Sequence, residues 1–264
     1  MTTVQLSSPT TPPNILGVEI LSPSIMNDPA LLSWTVPDAE RVTLDANGRV
    51  QTVSPMAGKF GLIRHADSLG PGIEAESGYP GMRFTNGQAN YLHTAQTLDA
   101  TKWAVAVVVW GNGTDISNTR DVFGIFAGNR SYRVARTQGM WSVLEGANTN
   151  VLIAGDANIP TTATSNFRLI ILEYVLGVLR FRERSKTTVG TIKSLEGQSP
   201  QTVLGPNVNL VLGTDELPVT GGVPATARSW GHGIHDAIVM DNSILQNAAR
   251  LRRIDNYFLK AYGQ

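Results

Sequence analysis

The 264 residues carry 21 basic and 21 acidic side chains, no cysteine, and 42% hydrophobic residues. A formal charge of zero speaks against a protein that tracks nucleic-acid phosphates, which needs a basic excess. Missing cysteines exclude disulfide staples, cysteine-based zinc sites and thiol nucleophiles. The longest unbroken apolar run, Trp103 to Trp110, is far shorter than the ~20 residues that insert across a bilayer.

The first forty residues stand apart. They hold six of the fourteen prolines, the four acids Glu19, Asp28, Asp38 and Glu40, and no lysine or arginine. Proline fixes φ and removes a donor, so neither a helix nor a central strand fits. Residues 1–30 read as an extended arm and 31–264 as the folded domain. The apolar words Ile15-Leu16-Gly17-Val18 and Ile20-Leu21 suit an arm lying along a partner subunit better than a solvated leader. The opening Met1-Thr-Thr-Val lacks the basic and apolar regions of a secretion signal. The expectation is assembly in a reducing cytoplasm.

From Arg41 onward the chain reads as short strands separated by turns. Asn47-Gly48 between Arg41–Leu44 and Arg49–Val53 predicts a hairpin, because Asn-Gly supplies the positive φ of a tight primed turn. Residues 55–79 hold proline and glycine without periodicity and read as a long surface loop. Met82–Thr85, Asn86-Gly87 and Tyr91-Leu92 suggest a second hairpin.

Trp103–Trp110 is apolar on both alternating faces and rich in valine, which predicts a strand buried on both sides. Further strands are expected at Asp121–Ala127, Ser131–Ala135, Met140–Leu144, Phe167–Leu176, Val178–Arg184, Val208–Leu212 and Ile234–Met240. Strands at roughly ten-residue spacing suggest a sandwich or jelly roll. The chain closes on one helix over 243–262. Ser243 and Gln246 have capping-box spacing, and Ile244, Ala248, Leu251, Phe258 and Tyr262 form the apolar stripe.

Most catalytic motifs are absent: no Gly-x-Ser-x-Gly elbow, no phosphate loop and no His-Glu-x-x-His occurs. His232 and His235 are three apart, which on a regular strand points them to opposite faces and argues against a metal pair. Glu74 and Glu76 have the spacing of paired glycosidase carboxylates, but their glycine-rich surroundings favour a solvated loop. Glu173 lies inside an apolar run, where a carboxylate is costly unless paired; Arg168, Arg180 or Arg182 on neighbouring strands would pair it. Among five tryptophans, Trp34, Trp103, Trp110 and Trp230 suit packing. Trp141, with Tyr132 and Asn129 near it in sequence, is the candidate for stacking on a sugar ring.

Three segments resemble concanavalin A-like, laminin-G-like jelly rolls of the kind found in tailed-phage virions and bacterial surface proteins. They are Leu32-Ser-Trp34 through Val53 with Pro80–Gly87 and Tyr91-Leu92; the Trp103–Trp110 strand; and Trp230–Met240 followed by Tyr257–Gly263. The resemblance implies an all-β concanavalin A-like jelly-roll sandwich with an extended N-terminal arm and one C-terminal helix. It supplies no catalytic acid and no calcium-binding aspartate set, and fold by itself does not imply function.

The resulting expectation is a structural protein of a tailed-phage virion, in a capsid-decoration, head-fibre or tail role. It would not be an enzyme and would need neither cofactor nor metal. Ile15, Leu16, Val18, Ile20 and Leu21 would bind other virion proteins, and Trp141, Tyr132 and Asn129 a cell-surface glycan. A homo-oligomer is expected, without nucleic-acid binding or membrane insertion. The alternatives are a glycoside hydrolase and a stand-alone carbohydrate-binding module on the same fold.

Overall fold

The computed structural model describes residues 23–66, 68–76, 78–85, 88, 90–111, 120–127, 130–137, 140–145, 151–156, 166–197, 207–213 and 232–263. Its first strands are β1 (Leu31–Thr35), β2 (Val42–Leu44), β3 (Val50–Val53), β4 (Pro55–Gly58), β5 (Leu62–Arg64), β6 (Gly72–Glu76) and β7 (Tyr79–Arg83). Then come β8 (Leu92–Thr94), β9 (Leu98–Asp99), β10 (Lys102–Gly111), β11 (Arg120–Ala127), β12 (Arg130–Thr137), β13 (Met140–Glu145) and β14 (Val151–Ala154). The last are β15 (Asn166–Val175), β16 (Val178–Arg184), β17 (Lys193–Glu196), β18 (Asn207–Leu212) and β19 (Gly233–Met240), followed by helix α1 (Ala248–Tyr262).

Two antiparallel sheets result. The first has the order β17-β16-β15-β10-β19-β1-β4, with β7 pairing the first residues of β19 and β6 pairing β7. The second runs β14-β13-β12-β11-β18-β8-β5-β3-β2, with β9 beside β18. The all-β sandwich expected from the strand spacing is the fold, and α1 covers the outer face of the first sheet.

That third layer explains the apolar runs. Along β10, Trp103, Val105, Val107 and Val109 face the second sheet, while Ala104, Ala106 and Val108 face the helix. Along β15, Ile170, Leu172 and Tyr174 point inward, and Leu169 and Ile171 lie under the helix. A strand with two apolar faces needs two covers.

The expected hairpin forms at Asn47-Gly48, but its turn is not a primed one: Asn47 keeps a negative φ, and Gly48 N–H donates to the Asp45 carbonyl at 3.0 Å. Gly48 has φ 74°, and the Asp45 carboxylate accepts from the backbone N–H of Asn47 and Arg49 at 2.8 and 2.9 Å. The expected loop over 55–79 is instead three strands, β4, β5 and β6. They are only three to five residues long, too short to show periodicity, and Pro55 sits at the start of edge strand β4, where a missing donor is tolerated.

The helix begins at Ala248, not at Ser243. Asn247 is its cap, accepting from Arg250 N–H at 3.0 Å. Ser243 Oγ does accept from Gln246 N–H at 2.8 Å, but in a separate turn. Glu173 from β15 accepts from the backbone N–H of Ile244 and Leu245 there, so the sheet satisfies amides that a helical first turn would leave orphaned. The buried stripe is accordingly Arg250, Ile254, Tyr257, Phe258, Ala261 and Tyr262.

Residues 23–30, assigned to the arm from sequence, belong to the folded body. Ile25 and Ala30 are buried beneath α1. Asp28 takes the Arg250 guanidinium through Nε and Nη2 at 2.9 and 2.8 Å, and Arg253 at 2.9 Å. The Arg250 bonds hold the Asp28 carboxyl below its ordinary pKa. On the opposite flank Asp255 of α1 receives Arg182 and Arg184 of β16.

Candidate functional site

Two regions combine polar chemistry with an unusual local structure. The first is a groove at the end of the sandwich, where β10 starts, β15 turns into β16, and the chain leaves β19. It holds about 560 Å³ and is lined by Thr101, Lys102, Tyr174, Val175, Leu176, Gly177 and Asn242. The rim is a two-residue hairpin turn: Val175 pairs Val178, and Leu176 and Gly177 have φ of 54° and 79°. Such turns favour Asn, Asp or Gly at both central positions. A leucine in the left-handed region costs about 1 kcal/mol or more, and this side chain is 90% exposed. Neither packing nor backbone preference selects it.

Thr101 donates its N–H and hydroxyl to Asp99 at 2.8 and 2.6 Å, which holds the Asp99 carboxyl below its ordinary range. Among the described residues, the Lys102 ammonium and the Asn242 side-chain nitrogen have no hydrogen-bond partner. Tyr174, mostly buried, forms the groove's floor, and burial raises its phenol pKa.

The second region lies between the sheets at their β14 and β17 edges. Lys193 of β17 donates to the carbonyls of Ala154 and Gly155 at 2.7 and 2.5 Å, which joins the two edges. Behind this clip sit Arg136, Arg168 and Glu183, exposed by only 2%, 5% and 2%. Glu183 Oε1 accepts from Asp156 N–H at 2.8 Å, while Oε2 has no hydrogen-bond partner among the described residues. Desolvation pushes its pKa up to about 7, against the opposing pull of Arg168. Gly155 permits the close approach: a Cβ there would lie 1.9 Å from the Trp141 carbonyl oxygen and 2.8 Å from Glu183 Oε1. A carboxyl poised near neutrality with a second acid beside it can give or take a proton.

The residues singled out from sequence are scattered. Trp141 and Tyr132 are buried to 2% and 1%, facing inward with Val143 and Val134 in the sandwich core. Their assignment to an exposed sugar platform is therefore corrected: Arg136 pairs Trp141 across β12–β13, and that register turns the indole inward. Asn129 and Trp230 lie outside the described residues, as do Ile15, Leu16, Val18, Ile20 and Leu21. Glu74 stands on strand β6, exposed, with Arg83 at 3.5 Å. Glu76 ends the same strand.

Glu173 is fully buried and structural. It accepts Ser243 Oγ–H at 2.7 Å and the N–H of Ile244 and Leu245 at 2.8 and 2.9 Å, with Arg180 at 3.5 Å. His235 is the extra residue of a bulge, since Val108 pairs Asp236 and Val109 pairs Ile234. Its ring meets the Pro80 carbonyl oxygen at 2.8 Å beneath the helix. Next to it, Asp236 accepts from Tyr257 Oη–H at 2.5 Å, and burial lifts its pKa to about 6. Glu183 and the Leu176 turn were missed. Glu183 stands in sequence between Arg182 and Arg184, where nothing local sets it apart; a leucine before the turn glycine was the available signal for the other.

No family model matches the sequence, and no curated protein matches it either. Solved structures do share the fold. The enzymatically active domain of bacteriophage CBA120 tailspike protein 2 aligns over 70% of this chain and 29% of its own, with 14% identity and a TM-score of 0.50. Trypanosoma rangeli sialidase in complex with sialic acid aligns over 89% of this chain and 34% of its own, with 8% identity and a TM-score of 0.55. A receptor binding domain aligns over 89% of this chain and 53% of its own, with 7% identity and a TM-score of 0.55. This chain thus spans roughly half or less of each of these proteins, and at such identities the likeness is one of fold: a lectin-like β-sandwich. The expectation of a non-enzyme is corrected by it. Two of the three neighbours are described as catalytic proteins, so this fold is compatible with glycosidase activity.

Proposed function

We propose that the chain is a glycan-directed module of a tailed-phage virion, carried on the tail or capsid and assembled in the host cytoplasm. The observation that carries this reading is the sandwich shared with the phage tailspike domain over 70% of the chain. In it, residues 23–263 present the sandwich to the cell surface. The segment containing Ile15, Leu16, Val18, Ile20 and Leu21 engages other virion proteins, and copies of the chain associate with one another. Purified protein with a fluorescent label should bind host bacteria and lose that binding when surface polysaccharide is stripped. Equal binding to stripped cells sinks the glycan reading. Deleting residues 1–22 should leave a folded domain that no longer joins particles; normal incorporation sinks the arm.

Glycoside cleavage is the second reading, and Glu183 is the observation that favours it. A carboxyl with its pKa near 7 and Asp156 beside it suits general acid–base work. Incubation with host polysaccharide, followed by reducing-end assay, should then show turnover that Glu183→Gln abolishes without unfolding the protein. Turnover retained in that variant removes Glu183 from the chemistry.

A further inference from the structure

We propose that the groove beneath the Leu176–Gly177 turn binds an acidic saccharide, with Lys102 pairing its carboxylate, Asn242 donating to a hydroxyl and Leu176 forming the apolar wall. This rests on the glycan-directed reading above and names the site that serves it.

Three observations converge here. Leu176 is the most exposed large apolar residue among those described, 90% against 58% for the next, Leu69. It occupies a left-handed backbone position, φ 54°, that its side chain disfavours. Strain and apolar exposure at one residue, on the rim of a cavity, point to a contact made by something bound there.

The polar lining then limits what is bound. Lys102 brings a positive charge and Asn242 an open amide donor, while no carboxylate lines the groove. Asp99, the acid coupled to Lys102, lies outside the lining and takes both Thr101 bonds on one oxygen, Oδ1. A donor-rich, cationic groove is complementary to a ligand of acceptors and negative charge. Apolar Leu176 and Val175 beside those donors match the alternation of a sugar ring, with C–H faces and hydroxyl edges. A volume of about 560 Å³ falls within the range of small-molecule sites and accommodates a short saccharide unit.

The test uses the full chain, polygalacturonate as a uronic-acid polymer and dextran as a neutral one, with binding measured by calorimetry at low and high salt. Wild type should prefer polygalacturonate and weaken as salt rises. Lys102→Gln should weaken binding by at least about tenfold, the loss of one charge-assisted hydrogen bond. Leu176→Gly should weaken it several-fold while its thermal midpoint rises or holds, because glycine relieves the turn. That opposition of signs separates a ligand contact from a tolerated defect. If wild type binds either polymer and both variants bind equally well, the groove is overturned and the glycan reading stands. If wild type binds neither polymer, nor the surface polysaccharide of its host, the glycan reading falls and takes the groove with it.

Discussion

Glu173 and Glu183 sit on adjacent strands of the same sheet, and both are almost wholly removed from water, at 0% and 2% exposure. They face opposite sides. Glu173 looks toward the helix layer, where a hydroxyl and two backbone amides converge on it. Glu183 looks between the sheets, where one amide reaches one oxygen and the other oxygen has no partner among the described residues. Burial of a carboxylate is therefore a poor guide to function in this fold. Completeness of its hydrogen bonding is the better one, because a satisfied carboxylate is a fastener and an unsatisfied one holds a proton that can move.

The largest effect should come from breaking the fastener. Glu173→Ala strands the Ser243 hydroxyl and two backbone amides in a dry layer and frees the turn that leads into the helix. A loss of about 3–5 kcal/mol is expected, read by urea unfolding. A loss below about 1 kcal/mol would mean that the helix layer docks without this latch.

Asp28→Ala should follow at about 3 kcal/mol, since it leaves Arg250 buried without its bidentate partner. Truncation offers the same comparison in another form. Removing residues 1–22 spares Asp28 and Ile25, whereas removing 1–30 takes both and should lower the thermal midpoint sharply. Equal midpoints for the two truncations would return residues 23–30 to the arm. The Asp28 pKa is lowered by its arginine partners, so its contribution is present above the ordinary aspartate pKa and fades as pH falls below it.

Glu183 should respond to pH in the opposite sense. Its folded pKa, about 7, lies above the ordinary value of 4.5. The native state therefore holds a proton that the unfolded chain has lost between those values, and stability falls as pH rises through that window. Subtracting the Glu183→Gln profile from the wild-type profile isolates this slope, which should total about 3 kcal/mol and flatten above pH 7. A flat difference between pH 4.5 and 7 would mean that the carboxylate is better paired than its geometry indicates.

Much of this contrast was hidden in the sequence for a physical reason. Apolar alternation along β10 and β15 reports burial of each face, and both strands were legible from it. Hydrogen-bond partners carry no such local trace. Glu173 meets residues about seventy positions away, and Asp28 meets Arg250 across 222. Ser243 and Gln246 had the spacing of a helix start and do bond, but the sheet's carboxylate captures the intervening amides and delays the helix. Trp141 looked exposed because Gln138 and Gly139 precede it and Tyr132 and Asn129 lie near it in sequence, yet strand register decides which way a side chain points. At the groove, only the odd residue was visible beforehand: a leucine before the turn glycine, where asparagine is the ordinary choice.

Asp236 provides the finest test, because it stands between the two extremes. It is fully buried, its pKa is raised to about 6, and its short bond from Tyr257 partly offsets the cost of burial. Tyr257→Phe removes that donor while keeping the ring, which packs edge-on against Trp34 at 4.9 Å. Above pH 6 the variant must hold an ionised Asp236 with one bond fewer, or keep it protonated at a cost. A loss of about 2 kcal/mol is expected at pH 7.5. At pH 4.5 wild-type Asp236 is itself largely protonated, so the same substitution should cost clearly less. A penalty independent of pH would assign Tyr257 to packing alone. A penalty that grows with pH would place Asp236 nearer to Glu183 than to Glu173, as a buried acid whose proton the surrounding layer controls.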